Sequence, residues 1–175
     1  ASLQALNEKP DLSILLVGDE SRMRPLVSAA PANVRDRLKL VHSDAVIGDA
    51  DTPVNVLRSG KQSSMYLAVE LVKTGTAQVM VSAGNTGALL MIGRHLMKTI
   101  EGIQKPAIVT TIPGASRQSF LLDVGANSYC SARQLFEFAV MGSVLAESLH
   151  GEKATVGLLN IGSEQYKGTA EVRAA

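Results

Sequence analysis

Three short segments combine glycine and asparagine in a pattern suited to binding an anion. They are residues 82–87, 123–127 and 160–168, and each follows a run of apolar residues that predicts a β-strand. Glycine lets the backbone approach an anion closely, and asparagine supplies hydrogen-bond donors without adding charge. Lys167 is the one cation within these segments. Because open α/β sheets bind ligands beyond the carboxyl ends of their strands, the segments predict a phosphate-type ligand.

Taken one at a time, the same segments have a second interpretation as turns and helix caps, which also favour glycine and asparagine. Neither a G-x-G-x-x-G motif nor a G-x-x-x-x-G-K-[ST] motif is present, so neither a dinucleotide site nor a P-loop is supported. The occurrence of three such segments favours anion binding over three unrelated turns.

Few other side chains qualify for catalysis. Cys130 has no histidine beside it in the sequence, so we expect a small buried thiol rather than a nucleophile. His42 ends a predicted strand and Asp123 opens the second segment; for both, a site role and a structural role remain open. We expect His95 and His150 to be surface groups at helix C-termini. No histidines and carboxylates have metal-ligand spacing, so we predict no metal.

Apolar runs that alternate with helical patterns predict the scaffold. We predict strands over residues 12–17, 38–42, 79–82, 107–112, 120–124 and 155–160, and helices over residues 62–73, 85–98, 131–149 and 171–175. Continuous apolar strands indicate an α/β protein with a largely parallel sheet covered on both faces. The seven residues after residue 112 are too few for a parallel crossover. One strand of that pair must run antiparallel, and we choose residues 107–112.

Composition limits the class of protein. The chain has 175 residues, 46% of them hydrophobic and 19% charged, which is typical of one globular domain. A net charge of +1, 3% aromatic residues and no Trp argue against a nucleic-acid partner. One Cys excludes a disulfide framework and fits a reducing compartment. The uncharged residues 74–93 contain four glycines and are too polar for a membrane span.

Two surfaces could contact other proteins. Residues 22–39 carry five cations and one anion, which suits either docking of an acidic partner or a solvated surface. The cations are Arg22, Arg24, Arg35, Arg37 and Lys39. The helix predicted over residues 131–149 has an apolar face wider than one sheet face can cover, so we expect it at a homodimer interface.

Residues 82–88, 121–127 and 156–168 resemble, in order and spacing, the PlsX-type phosphate acyltransferases of bacterial phospholipid synthesis. Residues 42–48 and 63–65 also match that family's pattern, so the resemblance runs over nearly the whole chain. The family's glycine-rich Asp-Ala-Met-Gly-Gly-Asp segment and its later Asp-Gly-Phe-x-Gly-Asn segment are absent. We therefore expect residues 1–175 to be the central part of a single phosphate acyltransferase domain.

The resemblance implies a homodimeric three-layer α/β/α sandwich, similar to the isopropylmalate dehydrogenase and phosphotransacetylase folds, with one antiparallel strand in a mostly parallel sheet. It implies transfer of a fatty acyl group from acyl carrier protein to inorganic phosphate, without a cofactor. The acyl phosphate formed would feed a membrane acyltransferase of glycerol 3-phosphate. The implied location is the cytoplasm, with peripheral attachment at the inner face of the membrane.

On this resemblance we expect Lys167, Asn85 and Asn127 to be catalytic, with Lys167 binding phosphate and stabilising charge. The residues expected to bind substrate and phosphate are Ser82, Gly84, Thr86, Asp123, Gly125, Asn160, Gly162 and His42. Two other functions remain open at this stage. One is a phosphotransacylase that uses acyl-coenzyme A, and the other is a non-catalytic module that binds an anion or an acidic protein.

Overall fold

The computed structural model describes residues 1–162, 164 and 166–175, and the chain divides into two compact units, Ala1–Lys98 and Thr99–Ala175. Each unit combines helices with a two-stranded sheet. The sheet of the first unit is parallel and that of the second is antiparallel. The expected α/β class is therefore confirmed. Ser163 and Gln165, which belong to the third predicted segment, lie outside the described residues.

The first unit is built around a parallel pair of strands. Ile14 lies opposite Leu38 and Gly18 lies opposite His42, so both strands end at the same edge. In chain order the elements are α1 (Ser2–Glu8), β1 (Ile14–Gly18), α2 (Glu20–Ser28), α3 (Ala32–Arg35), β2 (Leu38–His42), α4 (Pro53–Ser59), a 3-10 turn (Gly60–Gln62), α5 (Ser64–Lys73) and α6 (Thr86–Met97). Both strands and the helices α5 and α6 form where the sequence predicts them.

Two apolar clusters hold this unit together. One contains Leu6, Ala30, Val34 and Leu38, with side chains of β1 packed against it. The other joins α4, α5 and α6 through Val56, Met65, Tyr66, Val69, Ala88, Ile92 and Leu96. Each Å² of apolar area removed from water stabilises the folded state by about 25 cal/mol. The two clusters therefore hold the helices in their positions.

Arg37, which is half-buried, stabilises the first unit by binding several backbone carbonyls. Its guanidinium donates to the carbonyl oxygens of Leu6 at 2.7 Å, Lys9 at 2.9 Å and Leu12 at 3.0 Å. A fourth bond reaches Pro10 O at 3.1 Å. These carbonyls lie at the end of α1 and in the segment that leads to β1, so one guanidinium ties that segment to the helix end. Arg37 is therefore a structural residue and is not part of an exposed basic surface.

The second unit contains β3 (Val109–Pro113), β4 (Gln118–Leu122), α7 (Ala132–His150) and α8 (Ala170–Ala174). β3 and β4 form an antiparallel hairpin in which Val109 lies opposite Leu122, as predicted from the short connection. Helix α7 begins with a capping box between Ser131 and Gln134. It packs against β4, and none of the helices in the described residues is long and apolar enough to cross a membrane.

Two predicted strands do not form. Residues 79–82 and 155–160 have no strand partner among the described residues, although their sequences are apolar. Val81 is 94% exposed and Leu159 is 77% exposed. A strand needs a neighbour to pair its N–H and C=O groups, and neither unit supplies one here. The sequence prediction also omitted α1, α2, α3 and α4, whose short apolar patterns are weak.

Candidate active site

The described residues of the third segment, 160–162, 164 and 166–168, bring its two ends together. Asn160 Nδ2 donates to the carbonyl oxygen of Lys167 at 3.3 Å, and Asn160 Oδ1 accepts from the Ile161 N–H at 2.8 Å. Gly162 and Gly168 have φ angles of +89° and +91°, which other residues rarely adopt. The segment therefore needs glycine at both positions to turn back on Asn160.

Lys167 folds over Gly162 in this loop. Its Nζ lies 2.8 Å from Glu164 Oε1, and the two side chains are 39% and 43% exposed. The same Nζ lies 3.2 Å from the position that a Cβ on residue 162 would occupy. The ammonium group can therefore come close to the backbone because Gly162 has no side chain.

A shallow cavity of ≈ 580 Å³ lies beside this loop. Its lining residues are Leu159, Asn160, Ile161, Lys167, Gly168, Thr169 and Val172. Among the described residues of that lining, Lys167 is the one with an ionisable side chain. An open, mainly apolar cavity with one cation at its edge has the chemistry to bind an anion that carries an apolar group.

Helix α8 fixes the end of the loop. Thr169 Oγ1 caps α8 by accepting from the Val172 N–H at 3.3 Å. Arg173 reaches back from α8 and donates to the carbonyl oxygens of Tyr166 at 3.1 Å and Gly168 at 2.8 Å. The backbone on both sides of Lys167 is therefore held by one side chain of the following helix, that of Arg173. Sequence reasoning missed Arg173, although a cation four residues after the cap of a short helix was a signal for it.

The second segment is organised by the carboxylate of Asp123. Oδ1 accepts from the Ile108 N–H at 2.8 Å and from the Ala126 N–H at 3.3 Å. Oδ2 accepts from the Asn127 N–H at 2.7 Å and from Asn127 Nδ2 at 3.0 Å. Of the two roles left open by the sequence, the structure shows the structural one: Asp123 ties this turn to the start of β3.

Hydrogen bonding decides the charge state of Asp123. Burial, the largest single influence, raises the pKa of its carboxyl. The hydrogen bonds from Ile108, Asn127 and Ala126 together outweigh burial, and the pKa lies below its usual range. Asp123 is therefore an anion at neutral pH. A fixed anion that is saturated with donors is not a general base.

The side chain of Asn127 is also committed. Its Nδ2 donates to Asp123 Oδ2 and to Pro106 O, the latter at 3.2 Å. Both amide hydrogens therefore serve the loop itself. Gly125, between these two residues, has a φ of +78° and provides the turn that brings Asn127 back to Asp123.

The first segment, residues 82–87, lies in the first unit and opens α6. Asn85 is the N-cap: its Oδ1 accepts from the Ala88 N–H at 2.9 Å. Its Nδ2 donates to the carbonyl oxygens of Gly48 and Asp49, each at 3.3 Å. Asn85 thus joins α6 to the segment after β2, and the cap interpretation describes its contacts.

The residues around Asn85 are exposed but differ in their contacts. Ser82 Oγ accepts from the Gly84 N–H at 3.1 Å, which forms a small turn before the cap. A Cβ on Gly84 would lie 3.0 Å from the Met65 Cε atom, so glycine permits a close approach to α5. Thr86 is exposed at the first position of α6.

His42 stands at the carboxyl end of β2 between two partners. Its Nδ1 accepts from the Glu20 N–H at 3.2 Å, at the start of α2. Its Nε2 lies 3.0 Å from Asp44 Oδ1. This pair of contacts requires a ring with the proton on Nε2, donating to Asp44. His42 thereby connects the ends of β1 and β2.

Cys130, expected to be a small buried thiol, is only half-buried. Burial raises the pKa of the Cys130 thiol, and the nearby Asp123 carboxylate raises it further, although Lys105 acts in the opposite direction. The thiol is therefore protonated at neutral pH and a poor nucleophile. His95 and His150 are exposed in the last turns of α6 and α7.

The predicted site residues fall into two groups, one in each unit. His42, Ser82, Gly84, Asn85 and Thr86 belong to the first unit. The second unit holds Asp123, Gly125, Asn127, Asn160, Gly162 and Lys167. Within the second unit, Tyr129 Oη donates to Glu171 Oε1 at 2.8 Å and so links the second segment to α8. Across residues 1–162, 164 and 166–175, no three His, Cys, Asp or Glu side chains are placed to hold a metal ion.

The α/β architecture and the glycine loop that carries Lys167 define this chain as an α/β protein with a candidate anion site at the loop before α8. The whole chain, residues 1–175, matches the family model described as fatty acid synthesis protein. The chain belongs to this family.

Curated relatives named phosphate acyltransferase match the chain over its full length. Those of Shewanella woodyi, Halorhodospira halophila and Stutzerimonas stutzeri are 45%, 47% and 46% identical to it. The alignments cover 100% of this chain and 52%, 51% and 49% of those relatives. The chain therefore spans about half the length of the curated relatives it matches. These findings confirm the family that the motifs resemble.

Proposed function

We propose that the protein to which this chain belongs transfers a fatty acyl group from acyl-acyl carrier protein to inorganic phosphate. The product would be an acyl phosphate for phospholipid synthesis. Membership of the fatty acid synthesis family and the name of the relatives support acyl transfer involving phosphate. The observation that carries the proposal is the Lys167 ammonium, held over Gly162 at the edge of an open cavity.

The proposed reaction needs little acid–base catalysis from the protein. A phosphate oxygen attacks the thioester carbonyl carbon, a C–O bond forms and the C–S bond breaks. The electron pair leaves on the thiolate sulfur, which takes its proton from solvent. Phosphate is already anionic, and a simple thiol has a pKa of about 8.5, so neither a strong base nor a strong acid is needed. The reaction requires a cation and positioned donors instead.

Lys167 meets the first requirement. Its ammonium would hold the incoming phosphate and offset the charge that develops on the thioester oxygen. The proposed phosphate- and substrate-binding set is Ser82, Gly84, Thr86, Gly125, Asn160, Gly162 and His42. Asp123, also expected in this set, enters the proposal as the carboxylate that orients the turn carrying Gly125 and Asn127. Asn85 and Asn127 enter the proposal as residues that position their loops, because their amide hydrogens are bonded to carbonyl and carboxylate oxygens.

The finer fold is part of the proposal. A three-layer α/β/α sandwich, with a mostly parallel sheet and one antiparallel strand, would accommodate both the β1–β2 pair and the β3–β4 hairpin. Residues 1–175 would be its central part. The apolar residues 79–82 and 155–160 would be strands of that sheet.

We include a homodimer in the proposal because α7 has an uncovered apolar stripe. Phe136, Val140 and Val144 recur every four residues on one side of the helix, and all three are exposed. Sedimentation of the full-length protein at micromolar concentration tests this. A Val140→Glu and Val144→Glu double variant should sediment as a monomer, and a wild-type monomer would remove the dimer from the proposal.

Acyl carrier protein would dock on the exposed cations of the first unit. Arg22, Arg35 and Lys39 are exposed, whereas Arg37 is used inside the unit and Arg24 pairs with Glu20. We expect the KM for the acyl carrier substrate to rise at least about tenfold when these three residues are changed to Glu. The rise should shrink as salt increases. An unchanged KM would remove this surface from the proposal.

The proposed location follows from the chemistry of the product. Acyl phosphate would pass to a membrane acyltransferase that acylates glycerol 3-phosphate. The protein would then work in the cytoplasm and associate peripherally with the inner face of the membrane. Co-flotation of the full-length protein with phospholipid vesicles tests the peripheral part of this proposal, since a protein that stays at the bottom of the gradient contradicts it.

The decisive experiment is turnover by the full-length protein with acyl-acyl carrier protein and phosphate. Lys167→Ala should lose on the order of 100- to 1000-fold in rate, and its phosphate dependence should weaken as well. Lys153→Ala, which removes another exposed lysine of the second unit, is the matched control and should retain activity. Near-normal turnover by Lys167→Ala would overturn the assignment.

Donor preference separates the proposal from a phosphotransacylase that uses acyl-coenzyme A. The same acyl chain is offered on acyl carrier protein and on coenzyme A at equal concentration. The proposal requires the carrier protein substrate to react with the higher kcat/KM. Absence of turnover with either donor, together with retained phosphate binding, would indicate a non-catalytic anion-binding module.

A further inference from the structure

The carboxylate of Glu164 shares the space above Gly162 with the Lys167 ammonium. Glu164 Oε1 lies 2.8 Å from Lys167 Nζ. Glu164 Oε2 lies 2.6 Å from the position that a Cβ on residue 162 would occupy, and Lys167 Nζ lies 3.2 Å from that position. A hydrogen-bond acceptor and a cationic donor thus sit side by side where residue 162 leaves room.

A carboxylate beside a cation is an unusual choice for an anion site. It offsets the charge of Lys167 and repels any anion that arrives. The repulsion can be compensated only if the ligand brings a hydrogen to the carboxylate. An ammonium has three donors, so its bond to Glu164 leaves two for the same ligand.

We propose that Glu164 determines which oxyanion binds beside Lys167: it accepts a hydrogen bond from the P–OH group of phosphate and disfavours oxyanions that carry no proton. This inference rests on the proposed function, because it assigns phosphate to this loop. Near neutral pH phosphate keeps at least one proton, whereas sulfate, of similar size and charge, keeps none. Charge attraction to Lys167 alone would not separate the two anions.

The size of the preference for phosphate over sulfate depends on whether the anion can donate a hydrogen bond to Glu164. An O–H donor facing a carboxylate makes a short, charge-assisted bond. An oxyanion without a proton instead places its oxygen against the carboxylate oxygen. Sites built to bond a hydroxyl reject analogues that lack it by factors of about 10⁴ when buried. Because both side chains here are partly exposed, we expect a smaller preference, at least about tenfold.

The test measures binding rather than turnover. Phosphate and sulfate are titrated separately into the full-length protein by calorimetry at pH 7 and constant ionic strength. Wild type should bind phosphate at least about tenfold more tightly than sulfate. Glu164→Gln keeps the shape, removes the charge and can donate to sulfate, so its sulfate affinity should rise at least about tenfold. Glu101→Gln changes an exposed carboxylate elsewhere in the second unit and should behave as wild type.

Two results would overturn the inference. One is equal affinity of the wild-type protein for phosphate and sulfate, which needs no variant and so does not depend on how Glu164→Gln folds. The other is an unchanged phosphate preference in a folded Glu164→Gln protein. Arsenate, which also keeps a proton, extends the wild-type series and should bind like phosphate.

Failure of the proposed function has a different signature. A protein that prefers phosphate through Glu164 but transfers no acyl group keeps the inference and loses the function. A protein that transfers acyl groups to phosphate, with the same sulfate affinity in wild type and Glu164→Gln, keeps the function and loses the inference. A wild-type protein that binds neither anion contradicts both.

Discussion

The backbone of Gly168 passes so close to the Asn160 side chain that a Cβ on residue 168 would lie 2.4 Å from Asn160 Oδ1. This contact lets Asn160 Nδ2 reach the carbonyl oxygen of Lys167. The closure of the loop therefore depends on two residues that bear no charge. Asn160 and Gly168 would therefore act indirectly, by fixing the backbone that carries Lys167.

We predict that Gly168→Ala disrupts this loop and leaves the fold intact. The new methyl group would clash with Asn160, and the φ of +91° is unfavourable for alanine. A displacement of about 1 Å at a reacting group can cost on the order of 100-fold in rate, and we expect a loss of this size in full-length enzyme. Circular dichroism should be unchanged.

The matched control for Gly168→Ala is Gly93→Ala. Gly93 lies inside α6 with nothing within 4 Å of its would-be Cβ. Alanine favours a helix interior by about 1 kcal/mol over glycine, so this variant should be slightly more stable and fully active. Equal activity of the two variants would contradict the prediction for Gly168.

A second prediction concerns acid stability. Because the folded pKa of Asp123 lies below its unfolded value of about 3.9, its contribution to stability is complete above that value. The contribution is lost as the pH falls through the folded pKa. Denaturant titrations between pH 7 and pH 2 should therefore show a decline in the free energy of unfolding that begins near pH 4.

The variant Asp123→Asn isolates this contribution. The substitution should lower the free energy of unfolding by about 2 kcal/mol at pH 7. The NH2 group of the asparagine would face backbone N–H donors that the carboxylate accepts from. As the pH falls through the folded pKa of Asp123, the difference from wild type should narrow. A constant difference across the whole range would show that the Asp123 carboxylate is not the group responsible.

A third prediction separates structural from surface arginines. Arg37→Ala should lower the free energy of unfolding of the first unit by about 3 kcal/mol, since several carbonyls lose a charged donor. Arg35→Ala, whose contact with Ser28 O is 3.5 Å long, should change it by less than about 0.5 kcal/mol. Urea denaturation distinguishes the two, and similar losses would contradict the internal role of Arg37.

A fourth prediction concerns residues 79–82 and 155–160. Their sequences favour strands, yet they have no strand partner among the described residues. In the full-length protein we expect their amide hydrogens to exchange at least about 100-fold more slowly than in the 175-residue chain. β1 is the internal reference and should be protected in both proteins. Equally fast exchange of the two segments in both proteins would show that they are loops.

The parts of the fold that depend on neighbouring residues could be predicted from the sequence. β1, β2, the β3–β4 hairpin and helices α5, α6 and α7 formed close to their expected bounds because apolar period and connection length are local signals. Residues 79–82 and 155–160 show the limit of such signals. An apolar run shows that a segment is able to pair, whereas the partner is fixed by tertiary structure.

In the candidate site, too, local features could be predicted from the sequence and long-range contacts could not. The sequence identified Lys167 as the cation of three glycine-rich segments, and the structure places it over Gly162. It did not identify Glu164 as the neighbour of that lysine or Arg37 as an internal donor to Leu6, 31 residues away. The donors of Asn85 and Asn127 were expected to be available, and their hydrogen bonds to distant carbonyls could not be read from local spacing.

The exposed apolar residues of the second unit have a practical consequence for handling this chain. Val156, Leu159 and Ile161 are exposed in a segment whose backbone has no ladder partner among the described residues. Unpaired extended segments with apolar side chains are templates for aggregation. The 175-residue chain prepared alone should therefore self-associate and lose solubility as its concentration rises, and a charged substitution such as Leu159→Lys should delay precipitation.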